Sequence, residues 1–214
     1  MAYGGSRIVL FHQEMHESVK TMKPDCDKMC DELVAAFLEI LNLKESELAG
    51  HDQRVAALAL KLGERLGLSP QELIDLKRGA LLHDIGKICI PDEILNKPGP
   101  LTDQEYDVMK QHTGFGASIL GHIGCLERAL VVAASHHEKW DGSGYPDGLQ
   151  GEEIPLLARI SSIAGTYDAL TNARPYRAAL SKAEALQFIA ERSGRAYDPS
   201  IAETFLRMMA ETSG

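Results

Sequence analysis

Five of the eight histidines in this chain fall in four compact places: His51, the His83-Asp84 pair, His112 and the His136-His137 pair. His83-Asp84, followed by Gly86 and Lys87, offers two kinds of metal ligand and a cation from one short stretch. The doubled histidine supplies two imidazoles from one point of the backbone. A lone histidine is ordinarily a satisfied core or surface residue, and His122 is expected to be one. Taken together, the other five positions read as a metal site. Imidazole and carboxylate ligands suit iron, manganese, zinc or nickel, and the residue types do not choose among them. His12 and His16 share a helix face at i and i+4, but no third ligand accompanies them, so a solvated face is expected.

The elements that must position these groups are helical. Residues 25–43 carry Met29, Leu33, Val34, Phe37 and Ile40 at three- and four-residue spacing, and a second such stripe runs over 48–66 before Gly67 closes it. Ser69-Pro70-Gln71-Glu72 combines an N-cap, a first-turn proline and a capping-box glutamate, which starts a helix reaching about His83 or Asp84, with Gly86 placed to end it. Thr102 with Glu105 and Ser181 with Glu184 repeat the capping box, predicting helices near 103–121 and 182–193. Further helices are expected over 126–136 and 156–170. Between them, residues 137–155 are rich in glycine and proline and predict a shaped loop. No alternating strand pattern stands out, so the fold class is all-α.

The chain has 214 residues, 44% of them hydrophobic, which suits one packed domain, alone or with a short appendage. The expected division is an N-terminal helical segment or connection over 1–44 and a catalytic domain over 45–214. No apolar run approaches the roughly 20 residues that cross a bilayer, and the first thirty are too polar for a signal peptide, so a cytoplasmic protein without a membrane partner is expected. A net charge of -9 disfavours a nucleic-acid polymer, which calls for a basic stripe, but leaves room for a small phosphate ligand neutralised by metal. Cys26, Cys30, Cys89 and Cys125 fit no zinc spacing and are expected to be reduced thiols in or near the core.

Read in order, His83-Asp84-Ile85-Gly86-Lys87, His136-His137-Glu138, Asp141-Gly142-Ser143-Gly144-Tyr145-Pro146, Ile154-Pro155 and Arg174-Pro175-Tyr176-Arg177 resemble the signature of HD-GYP domains over roughly residues 45–205. The resemblance implies a compact HD-superfamily helical bundle that hydrolyses cyclic di-GMP or a related cyclic dinucleotide with two or three divalent ions, iron or manganese foremost and zinc or nickel compatible. It implies that His51, His83 and Asp84 serve a first ion, and that Asp84 bridges to a second held by His112, His136 and His137. Chemically, paired cations can activate water and stabilise both the attacking and leaving oxygens of an in-line displacement. Lys87 would meet a phosphate oxygen. Arg174 and Arg177 resemble positions that meet substrate phosphates or guanines, and Tyr145 shapes the site in a loop also linked to signalling-protein contacts. Trp140 either anchors that loop or stacks on a base.

One position departs from the pattern. Where the family carries an aspartate ligand of the first ion, this chain reads Ile163-Ala164-Gly165-Thr166-Tyr167-Asp168. Asp168 matches a second family aspartate one turn further on and is not assigned the vacant role. Glu47 stands four residues before His51, the spacing of a glutamate ligand in three-metal members. Two functions follow from this: an active phosphodiesterase, or a degenerate domain that binds cyclic dinucleotide or a partner protein without efficient turnover. A hydrolase of another phosphate ester is disfavoured by the Gly-Tyr-Pro loop and the arginine motif.

Overall fold

A computed structural model describes residues 26–44, 50–173 and 178–211. Among them there is no strand, only two isolated bridges, Asp141 with Gln150 and Ser193 with Tyr197. The α-helices in chain order are α1 (Cys26–Lys44), α2 (His51–Arg65), α3 (Pro70–Leu81), α4 (Asp92–Leu95), α5 (Asp103–Lys110), α6 (His112–Leu120), α7 (Leu130–Ser135), α8 (Leu156–Thr171), α9 (Lys182–Ala190) and α10 (Pro199–Glu211). Short 3-10 turns occupy Ile85–Cys89, Gly124–Leu126 and Gly151–Glu153.

All three capping boxes form as expected. The side chains of Ser69, Thr102 and Ser181 accept from the backbone N–H of Glu72, Glu105 and Glu184, whose carboxylates accept in return. Helix α3 is shorter than its sequence suggests, ending at Leu81 so that the chain can turn through His83-Asp84 into the 3-10 segment. Gly86 lies inside that segment and does not terminate a helix. A Cβ there would overlap the His112 carbonyl oxygen and come within 2.5 Å of the Gly116 backbone nitrogen, so glycine is needed for the close approach to α6. The stretch expected as one helix over 103–121 is two, α5 and α6, and 126–136 shortens to α7. Helix α10 was not foreseen, although Ile201, Ala202, Phe205 and Met208 give it a buried stripe and Asp198 Oδ1 accepts from the Ser200 backbone N–H at 2.9 Å.

Two apolar cores result. One joins α2, α3, α8, α9 and α10 through Val55, Leu62, Leu76, Ile163, Ile189 and Phe205. The other packs Cys30, Val34, Leu38 and Leu41 of α1 against Leu82, Ile85, Leu120, Leu126 and Ala133. Leu81 packs against both. Each fully buried leucine, isoleucine or phenylalanine contributes roughly 1.5–3 kcal/mol.

The cysteine expectation is corrected. Cys30 and Cys125 are joined in a disulfide across 95 residues with a Cα–Cα distance of 6.2 Å, while Cys26 and Cys89 are free and exposed. Docking of α1 beside the Gly124–Leu126 turn creates that pair, and sequence spacing carries no trace of it. No helix of the described residues is long and apolar enough to cross a membrane.

Candidate metal centre

Four helices and one turn deliver the ligand candidates to a single cleft of about 510 Å³. His51 opens α2, His83 and Asp84 follow α3, His112 opens α6, and His136-His137 follow α7. His51, His83, Asp84, His112 and His136 are all buried. Two sets of donor atoms each lie within 4.8 Å of one another: a first of His51, Asp52, His83 and Asp84, and a second of Asp84, His112, His136 and His137. Asp84 belongs to both.

Its two oxygens face different ways. Oδ2 lies 3.3 Å from His83 Nε2 and 2.8 Å from Lys87 Nζ, whereas Oδ1 lies 3.4 Å from His112 Nε2 and 3.7 Å from His136 Nε2. A carboxylate shared in this way between two donor sets has the disposition of a bridging ligand. Burial works against its charge, but the His83 and Lys87 side chains prevail and hold the carboxyl well below the usual carboxylate range.

The imidazoles are oriented from behind. His83 Nδ1 lies 2.9 Å from the Ala80 carbonyl, His112 Nδ1 2.7 Å from that of Met109, and His136 Nδ1 3.0 Å from that of Val132. Each Nδ1 therefore donates, and each Nε2 is left with a lone pair aimed into the centre. His112 Nε2 and His136 Nε2 face each other at 3.4 Å, two acceptors brought together with a carboxylate oxygen beside them. Such a cluster of acceptors fits a cation. Burial pushes the pKa of His112 and His136 down, and that of His137 to about 3, so these rings are neutral ligands near neutral pH.

Two carboxylates support this framework, Asp52 unnoticed on sequence and Asp168 noted there but given no role. Asp168 reaches across from α8, its Oδ2 2.7 Å from His51 Nδ1, while Arg54 Nε donates to Oδ1 at 2.6 Å and Asn172 Nδ2 donates to Oδ1 at 3.0 Å. Burial opposes its charge, and the His51 and Arg54 hydrogen bonds lower the pKa regardless. Asp52 is buried behind His83, its Oδ1 3.5 Å from Nδ1, and desolvation raises its pKa against the pull of His83. Asp52 follows a candidate ligand directly, the one signal that could have flagged it. Asp168 carried a signal too, but its reach to His51 depends on how α8 packs on α2.

Gly165 lines the cleft from α8, and a Cβ added there would meet nothing within 4 Å. The space that a side chain would take there is open. Tyr145 also lines the cleft, stacked on His137 with ring centroids 4.7 Å apart and edge-on to Tyr106 at 6.3 Å; burial, then Tyr106, raises its pKa. The loop beneath it is pinned by Glu138, whose Oε1 accepts from the Asp147 and Gly148 backbone N–H groups at 2.7 and 3.1 Å. The Trp140 backbone N–H donates to the Ala196 carbonyl, and the Arg159 guanidinium lies 5.7 Å from the Trp140 ring. His122 is exposed and apart from the cluster, its Nδ1 2.7 Å from the Ser118 carbonyl. Glu47, Arg174, Arg177, His12 and His16 lie outside the described residues.

Residues 35–201 match the sequence profile of the family described as HD domain. The chain belongs to the HD domain family. Its motif order and its relatives place it in the HD-GYP branch. This HD domain is 37% identical over 218 residues to a cyclic di-GMP phosphodiesterase of Thermotoga maritima, an alignment covering 94% of the chain and 59% of the relative. It is 37% identical to a cyclic di-GMP phosphodiesterase of Vibrio cholerae over 93% of the chain and 44% of the relative. It is also 40% identical to a 3'3'-cGAMP-specific phosphodiesterase of the same organism over 78% of the chain and 36% of the relative. The chain thus spans about half the length of the curated relatives it matches. Among solved structures, a cyclic GMP-AMP specific phosphodiesterase of Vibrio cholerae superposes with a TM-score of 0.66 at 24% identity, over 85% of this chain and 49% of that one, which shows the shared fold. The all-α HD bundle expected from sequence is therefore the architecture observed.

Proposed function

We propose that this HD domain is a metal-dependent phosphodiesterase that opens a cyclic dinucleotide, cyclic di-GMP foremost, to a linear dinucleotide or to mononucleotides. The observation that carries the reading is that Asp84 belongs to both donor sets, with Oδ2 turned to His83 and Oδ1 to His112 and His136. In this reading His51, His83 and Asp84, with Glu47, hold one divalent ion, and Asp84, His112, His136 and His137 hold another. Iron or manganese is the preferred metal. Bound there, the ions supply the Lewis-acid charge that phosphodiester hydrolysis needs.

The chain's own residues do the rest. Lys87, at 2.8 Å from Asp84, places an ammonium at the cleft wall where a phosphate oxygen gathers charge. Tyr145, fixed by stacking on His137, closes one side of the cleft and shapes the space beside the metal ligands. Arg174 and Arg177 are assigned to the substrate phosphates or guanines. Residues 45–214 carry the chemistry, and a cytoplasmic setting and a signalling-protein contact at the Gly-Tyr-Pro turn complete the reading.

A turnover assay decides it. With cyclic di-GMP and 3'3'-cGAMP each supplied to anaerobically purified protein containing iron or manganese, product should form with at least one substrate. It should vanish after chelation and in Asp84→Asn. Gly165 favours the alternative of a binding domain without turnover. Tight binding of either dinucleotide, with no product at any metal loading, would establish that alternative.

A further inference from the structure

Most of the exposed large hydrophobic side chains among the described residues belong to one helix. Met29, Leu33, Ile40 and Leu43 of α1 are 47%, 40%, 49% and 79% exposed. With Ala36, also exposed, they recur at intervals of four, three, four and three residues. The other side of α1, formed by Cys30, Val34, Leu38 and Leu41, is already buried in the second core. A helix that packs on its domain through one face needs only one apolar stripe. This one has two.

The spacing of the outer stripe specifies what covers it. A four-three repeat averages 3.5 residues, the period that keeps a seam turned toward a second helix winding alongside. With Leu33 and Ile40 at a and with Met29, Ala36 and Leu43 at d, the exposed Cys26 takes the preceding a position. Glu32 and Glu39 then fall at g and Lys44 at e. In a parallel pair of identical helices, Glu39 faces Lys44 of the second copy, an attractive contact. An antiparallel pair sets Glu32 against Glu39, a repulsive one. Lys44 meets Asp92 at 2.8 Å within its own chain, which holds its ammonium at this end of the helix.

We propose that the outer face of α1 pairs with α1 of a second copy as a parallel two-stranded coiled coil. The pairing face backs directly onto the core that carries Ile85, in the 3-10 segment that also bears Lys87, so the dimer seam and the cleft share one support. The 19 residues of α1 make a rod of about 28 Å. A seam of that length is at the small end of stable interfaces, which bury roughly 1,200–2,000 Å². Association should therefore depend on concentration.

The 214-residue chain provides its own probe. With Cys30 and Cys125 joined, Cys89→Ser leaves Cys26 as the free thiol, and a parallel seam sets Cys26 opposite Cys26. Analytical ultracentrifugation should show reversible dimer formation in the micromolar range, and a short bismaleimide should trap a covalent dimer through Cys26. Leu43→Glu, at an outward position that cannot disturb the core, and Leu33→Glu should both abolish dimer and crosslink while far-UV circular dichroism and metal content stay unchanged. A chain that stays monomeric at hundreds of micromolar overturns the proposal. So does a dimer that survives both substitutions, or one in which Cys26 does not crosslink.

Discussion

Asp168 holds His51 from behind across 117 residues of sequence, its Oδ2 2.7 Å from His51 Nδ1, with Arg54 gripping the same carboxylate. The pairing leaves His51 Nε2 as the atom facing the first donor set. Carboxylates that orient a metal-binding histidine typically govern affinity by about 10–100-fold. Asp168→Asn should therefore weaken metal binding at this set by about that factor, as read by titration calorimetry on chelated protein. An unchanged affinity would make Asp168 merely a partner for Arg54.

Gly165 should accept a side chain. A Cβ at that position meets nothing, and glycine and aspartate differ in helix propensity by only a few tenths of a kcal/mol, so Gly165→Asp should leave stability within about 0.5 kcal/mol. The added carboxylate should raise the metal content per chain and increase turnover. If metal content does not change, the first set is already complete without it.

The histidines of the second set make the metal-free protein acid-sensitive. Burial lowers the folded pKa of His112 and His136, and that of His137 to about 3, against an ordinary value of 6.5. As pH falls through about 6.5 the unfolded chain takes up protons that the folded chain refuses, so stability declines from there toward the folded values. The slope can reach about 1.4 kcal/mol per pH unit for each histidine. Thermal unfolding of chelator-treated protein should show a nearly constant Tm between about pH 8 and 7 and a steady fall below. A flat profile to about pH 5 would show that these rings protonate freely in the fold.

Gly86→Ala should be far more damaging than an alanine exchange at a surface glycine. Its methyl group would collide with the His112 backbone, and overpacking of this kind costs about 1–3 kcal/mol or more. At about 2–4 °C per kcal/mol for a chain of this size, Tm should drop by several degrees. Metal should be lost with it, because His112 must move. A Tm within a degree of the parent would mean that α6 slides away at no cost.

Sequence by itself determined the fold class and the set of candidate ligands. Residue types carry their ligand properties wherever they stand, so His51, His83-Asp84, His112 and His136-His137 pointed to a candidate metal site before any fold was known, and the family resemblance marked Gly165 as the departure from it. Helix starts were readable for the same reason of locality: a capping box closes within four residues, as at Ser69, Thr102 and Ser181. Tertiary structure alone decided which groups act through others. Asp168 meets His51 because α8 crosses α2, Asp52 lies behind His83 because α3 ends early, and Cys30 meets Cys125 because α1 docks beside a distant turn. These are contacts between residues tens of positions apart, set by the packing of two cores, and no local spacing encodes them. The division of the Asp84 oxygens between two donor sets is of the same kind. Sequence supplied the carboxylate, and the helices arriving on either side of it turned its two oxygens toward different donors.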